Sequence, residues 1–213
     1  MPVRKGFAVF LCLAVFLMVF SFAGAEEGYP ADHNEGAETA VELPAYSYTG
    51  DDPIEGAIVT TVLTDGHADL FRKDPGSVVI PCPIVLKTVM NDETHAKVYG
   101  NFWILIYVKQ GDILFNISGG ENPAVVTLEN ADGEWRVSAM EEAGDGDDYV
   151  ADIKRFADGD KELEEQYFAS ADLMSEQNQE IRTRFIREYV KANELDITAY
   201  QDYGWDPVAL GEE

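Results

Sequence analysis

The chain has 213 residues, with 40 acidic and 15 basic side chains and a formal charge of −25. That balance argues against nucleic acid and anionic membranes as partners, because phosphate binding requires clustered Lys and Arg. Three histidines in all, with His33 in the expected tether, argue against a His-rich transition-metal site as well.

Arg4 and Lys5 form a short basic stretch, Phe7 to Phe22 an apolar run, and Ala23-Gly24-Ala25 a small-residue cleavage site. This is the pattern of a secretory signal peptide over residues 1–25. The run is shorter than the ~20 residues a membrane-spanning helix needs, and Glu26-Glu27 follows it directly. Cys12 lies inside the run rather than after it, which disfavours a lipoprotein anchor. The protein is therefore expected to be exported: extracellular, periplasmic or associated with the cell envelope. Cleavage would remove two bases and no acids, lowering the net charge to −27. It would also leave Cys82 as the single cysteine, so no internal disulfide is expected. No later run is long enough to span a membrane.

Residues 26–50 are rich in Gly, Pro, Glu and Ala without apolar periodicity and read as a flexible tether, with an extended segment at Ala45 to Tyr48 as an option. A helix is predicted from Asp52 to Leu63. Asp52 serves as N-cap, Pro53 fits the first helical position, and Glu55 stands where a capping box reciprocates. Ile54, Ile58 and Val62 make its buried stripe. Ala68 to Phe71 suggests a further turn, and Asp74-Pro75-Gly76-Ser77 a loop.

Five strands follow. Val78 to Met90 is the first, with Pro81 and Pro83 making its first half an edge or irregular. His95 to Lys109 is the most β-prone run, apolar on both faces and therefore central, with a bulge or bend at Gly100. Ile113 to Ile117 comes next, then a Gly-rich loop over 118–123. Ala124 to Glu129 and Glu134 to Met140 form a hairpin around Asn130-Ala131-Asp132-Gly133. Short connections make the set an antiparallel meander. Helices are predicted over Tyr149–Phe156, from the Asp160 cap to Phe168, and over about Asp172–Asn193. The last carries the Glu180–Arg184 and Arg184–Glu188 pairs on its outer face. The aromatic tail from Ile197 to Leu210 is expected to pack down.

A capped helix followed by a curved antiparallel meander, ending in residues 125–140 (VVTLENADGEWRVSAM), resembles the nuclear-transport-factor-2-like, or cystatin-like, α+β superfamily over about residues 50–142. The resemblance implies an α+β cone with an N-terminal helix packed on the sheet. Here it would span residues 51–148, with residues 149–213 as extra C-terminal helices packed on the same domain. The group includes ketosteroid isomerase, dehydratases and many exported domains without catalytic activity, so the fold does not choose a function. Homodimers through the open sheet face are common in it.

If the cone is open, Tyr99, Asn101, Trp103 and Tyr107 line its concave side as a ligand pocket; if a helix packs there, they are core. A lyase or isomerase would need a carboxylate in that apolar pocket, and Asp69 and Asp112 are the nearby candidates. Cys82 with His67 or His95 could form a nucleophile–base pair, but Cys82 shares its register with Val78, Ile80, Ile84 and Leu86, which suits a buried thiol. The acidic groups 145–148 and 158–160 could hold Ca²⁺, yet they lack the Gly and trailing Glu of an EF-hand loop and read equally as turns and caps. No metal or cofactor is assigned. The sequence thus supports an exported, non-enzymatic domain binding a small molecule, a peptide or a cell-envelope partner. A lyase or isomerase is the alternative. A protein-binding module is a third option, which an exposed apolar patch around Tyr200 to Trp205 would favour.

Overall fold

The computed structural model describes residues 42–64 and 75–211. The expected signal peptide, most of the tether, His67, Asp69 and the extra turn near residues 68–71 lie outside them.

The first element is helix α1, Pro53–Thr64. Its start follows the sequence: Asp52 Oδ1 accepts hydrogen bonds from the backbone N–H groups of Ile54 at 2.8 Å and Glu55 at 3.1 Å. Glu55 does not return the contact as a capping box would. Its carboxylate instead accepts from Tyr48 and from Arg184, which lies far along the chain. Ile58, Val59 and Val62 are buried against the sheet, each a side chain whose burial contributes about 1.5–3 kcal/mol.

Five strands follow: β1 (Ser77–Met90), β2 (His95–Gln110), β3 (Ile113–Gly120), β4 (Pro123–Ala131) and β5 (Glu134–Glu142). They do not form the expected antiparallel meander, because β3 and β4 do not pair with each other and instead run in the same direction, end to end, both antiparallel to β2. β1 pairs with β2 along nearly its whole length, from Ser77 opposite Val108 to Met90 opposite Ala96. The other edge of β2 is shared: β4 pairs with its first half and β3 with its second. β2 is therefore central, as its two apolar faces require.

Pro81 and Pro83 sit within the regular register of β1, opposite Ile104 and Phe102, rather than in an irregular stretch. Their spacing of two directs both donor-less nitrogens to one side, and β1 pairs with no strand but β2, so its outer edge accommodates them. The bulge expected at Gly100 falls across the ladder, at Leu86, where the register shifts between Val85 and Lys87. Gly100 is needed for a different reason: a Cβ there would lie 2.7 Å from the Ile84 carbonyl oxygen. The expected Gly-rich loop is partly strand, because β3 continues through Gly119 and Gly120 and pairs them with Leu105 and Ile104.

Three more helices follow: α2 (Asp147–Ala157), α3 (Lys161–Ala169) and α4 (Glu176–Ala192). Asp160 caps α3 by accepting from Leu163 N, and Ser175 caps α4 by accepting from Asn178 N. That cap starts α4 four residues later than the apolar spacing predicts. The tail forms β6 (Ala199–Gln201), which runs parallel to β3, and β7 (Val208–Ala209), which turns back on β6. Among the described residues the protein is thus α+β, with four helices and a seven-stranded open mixed sheet. No helix among them is long and apolar enough to cross a membrane.

The two sheet faces have different covers. Val98, Phe102, Ile104 and Ile106 of β2 pack with Ile58 and Val62 of α1. The opposite face carries Tyr99, Trp103, Leu105 and Tyr107 and lies beneath the C-terminal helices. Leu105 and Tyr107 join Phe185, Ile186 and Tyr189 of α4, and Tyr99 joins Ile153, Phe156 and Tyr167 of α2 and α3. Residues 42–50, expected as part of a tether, are docked at their apolar positions. Leu43 is buried, Tyr46 stacks on Tyr189 with ring centres 6.1 Å apart, and the Tyr189 hydroxyl donates to the Pro44 carbonyl at 2.8 Å. Three apolar side chains in nine residues are enough to hold an otherwise polar segment against α4.

Candidate functional site

The four residues of the inner sheet face have separate internal partners. Asn101 is fully buried and sits where the neighbour of β2 changes from β4 to β3. It donates to Glu121 at 2.8 Å and accepts from Asn122 N at 3.1 Å, so its amide supplies hydrogen bonds in the gap between the two ladders. Trp103 donates its indole N–H to the Ser170 carbonyl at 3.1 Å, tying β2 to the end of α3. Tyr99 is half-buried in the α2–α3 cluster. Tyr107 is fully buried, and its hydroxyl accepts from Arg182 Nε at 2.7 Å. The four share a face and are tied to different neighbours on it.

Arg182 is the centre of a buried polar cluster that the sequence reading did not identify. Its side chain is 1 % exposed, and it pairs in bidentate fashion with Asp202, both N–O distances being 2.6 Å. The guanidinium carbon also lies 4.5 Å from the ring centre of Tyr200 and 5.5 Å from that of Tyr107. Burial works against the charge, but Tyr107 and Asp202 outweigh it and hold the guanidinium firmly protonated. Burial pushes the Tyr107 phenol well above its ordinary range. A sequence signal existed: Arg182 occupies the same helical stripe as Phe185, Ile186 and Tyr189, and an arginine on an apolar stripe must find a partner.

That partner lies on the β6–β7 turn. Ile197, Ala199, Tyr200 and Leu210 are buried, as the packed tail requires, but residues 203–207 are exposed. Tyr203 is 79 % and Trp205 57 % exposed, the two most exposed aromatic side chains among the described residues. The turn is nonetheless braced. Asp202 is held by Arg182, Trp205 N donates to the Asp202 carbonyl at 3.1 Å, and Gln201 Nε2 donates to the Trp205 carbonyl at 2.7 Å. Gly204 takes a positive φ of 79°, which a side chain would resist. Asp206, the residue after Trp205, is also exposed.

The other candidates are dispersed. Cys82 is buried opposite Trp103, and burial pushes its thiol up to about 12. His95 opens β2 at a distant register position and contacts Asp92 and Thr94, so it does not pair with Cys82; His67 lies outside the described residues. Asp112 accepts from the Thr198 hydroxyl at 2.8 Å at an exposed position. Among the acidic groups, Asp147 and Asp148 open α2 and Asp160 caps α3. Among the described residues no group of three or more His, Cys, Asp and Glu is placed to hold a metal ion. Clefts flank the sheet among the described residues. One, of about 330 Å³, separates Ile84–Leu86 from Ser170, Asp172 and Asn178; another, of about 440 Å³, separates α1 from the β4–β5 hairpin. Comparison of the chain with protein-family models, with curated proteins and with solved structures gave no match.

Proposed function

We propose that the chain is an exported, non-enzymatic binding domain of the nuclear-transport-factor-2-like, cystatin-like kind, and that its partner is a protein or peptide that docks on the β6–β7 turn. The observation that carries this reading is the exposure of Tyr203 and Trp205 on a braced turn. Aromatic side chains of this size are enriched at protein interfaces, where their rigid rings contribute large contact areas at low conformational cost. A turn fixed before binding loses little further freedom on docking.

The chemistry of the acids also favours binding over a lyase or isomerase. General acid–base work at a carbon centre calls for a carboxylate in an apolar pocket with a raised pKa. Two part-buried carboxylates, Glu55 and Asp202, are instead each forked onto an arginine, and Asp112 is exposed. The inner sheet face, which would wall such a pocket, is packed against α2, α3 and α4.

The test is a joint binding and turnover screen of the chain from residue 26. The expected result is peptide binding, by calorimetry, that the double substitution Tyr203→Ala/Trp205→Ala abolishes without changing the melting temperature. A small molecule that the protein turns over, at a rate that falls in Asp112→Asn, would overturn the reading.

A further inference from the structure

From the net acidity of the chain and the two exposed rings of the turn we infer that the partner presents a basic segment, with arginine side chains stacking on Tyr203 and Trp205. This deepens the proposal that the turn is the docking surface and rests on it.

The argument begins with how the protein uses its own cations. Lys87, Lys109, Arg136, Arg155, Lys161, Arg182 and Arg184 all contact carboxylates already. With 40 acids against 15 bases in the chain, what remains unmatched is negative. The field around the molecule therefore attracts cationic partners and repels acidic ones, a second copy of this chain included. Nucleic acid and anionic lipid are disfavoured for the same reason.

The turn adds the short-range chemistry. Within this protein, arginines lie over aromatic rings at Phe156, Tyr107, Tyr200 and Phe185. None of these contacts uses Tyr203 or Trp205, whose rings are exposed. Trp and Tyr are favoured surfaces for a cation, and a planar guanidinium stacks better than an ammonium. Asp206, next in sequence to Trp205, is exposed and has no contacting cation among the described residues, which suits it to receive a guanidinium fork. The Asp202 carboxylate is committed inward to Arg182, so it fixes the turn rather than greeting the partner. Two rings and one carboxylate on a fixed turn match two or three arginines in an extended segment.

The experiment uses the chain from residue 26 and four labelled peptides alternating glycine with arginine, lysine, glutamine or glutamate, followed by fluorescence anisotropy. The arginine peptide is expected to bind best, and its affinity to fall at least tenfold in Tyr203→Ala/Trp205→Ala. That substitution leaves the net charge unchanged, so diffuse attraction to an acidic protein would survive it. Asp206→Asn is expected to weaken arginine binding several-fold while leaving the melting temperature in place. Equal binding of the arginine peptide to wild type and double variant would overturn the inference and the docking reading together. Tip-dependent binding of the glutamine or glutamate peptide, at an affinity matching arginine, would overturn the basic partner and leave the docking surface standing. Tip-dependent binding to phosphatidylcholine vesicles in place of peptide would overturn both in favour of a lipid surface.

Discussion

Replacing Asp202 by alanine should cost more than replacing its partner Arg182 by methionine, although both break the same ion pair. The asymmetry comes from burial. The Arg182 side chain is 1 % exposed and that of Asp202 22 %. In Asp202→Ala the guanidinium is left in the core without its counter-charge, held by the Tyr107 hydroxyl and the Tyr200 ring, and an uncompensated buried charge of this kind costs about 3–5 kcal/mol. In Arg182→Met the carboxylate already lies at a surface turn and can rehydrate, while methionine fills much of the arginine stem. What remains is the Tyr107 hydroxyl, fully buried and deprived of its donor, at about 1–3 kcal/mol. The expected losses are therefore about 4 kcal/mol for Asp202→Ala and about 2 kcal/mol for Arg182→Met, sizeable against the ~5–15 kcal/mol that holds a domain together. Both charges are gone in the double variant, so its loss should fall near that of Arg182→Met alone and well short of the sum. Urea unfolding followed by tryptophan fluorescence measures all three. An Asp202→Ala loss below about 1 kcal/mol, or one smaller than that of Arg182→Met, would refute the account of Arg182 as a cation that depends on the turn.

Other consequences can be measured alongside. Starting the chain at residue 51 instead of 42 removes the buried Leu43 and the Tyr46–Tyr189 stack; the expected loss is about 3 kcal/mol, read as a lower melting temperature, and an unchanged one would mean the segment is not docked in solution. Cys82, with its thiol pushed up to about 12 by burial, should resist iodoacetamide at pH 8 in the native protein and react once urea unfolds it. Asp160 is held below the ordinary carboxylate range by the hydrogen bond from Lys87 and then by Leu163 N, and Asp152 by Gly144 N and then Arg155. A depressed folded pKa stabilises above the unfolded value, about 3.9, and that contribution is lost as pH falls through the folded one. The acid limb of stability below about pH 4 should flatten in Asp152→Asn/Asp160→Asn, as followed by circular dichroism at fixed urea; an unaltered limb would place the titrating groups elsewhere.

Local chemistry made much of the fold legible. Asp52 caps α1 and Asp160 caps α3, each through the backbone N–H groups that the sequence spacing offers. The two prolines of β1 mark a sheet edge, and the Asp-Gly pair closes the β4–β5 hairpin with both residues at positive φ. These features depend on neighbours a few residues away, so sequence alone determined them. The start of α4 was less legible, because apolar spacing gives the buried face while the Ser175 cap sets the end.

What only the tertiary structure decided involves partners far apart in the chain. Arg184, expected to pair along α4 with Glu180, turns to Glu55 on α1, keeping Glu188 as a second contact. Tyr107, grouped with Tyr99, Asn101 and Trp103 by strand periodicity, is bound to Arg182 of α4 and through it to Asp202 of the tail. Periodicity places these side chains on one face, but it carries no information on which helix will cover that face. The tail shows the same division. Its aromatic content foretold packing, which Tyr200 satisfies, while Tyr203 and Trp205 stay outside because the inward pull of Arg182 ends at Asp202 and Gly204 turns the chain back.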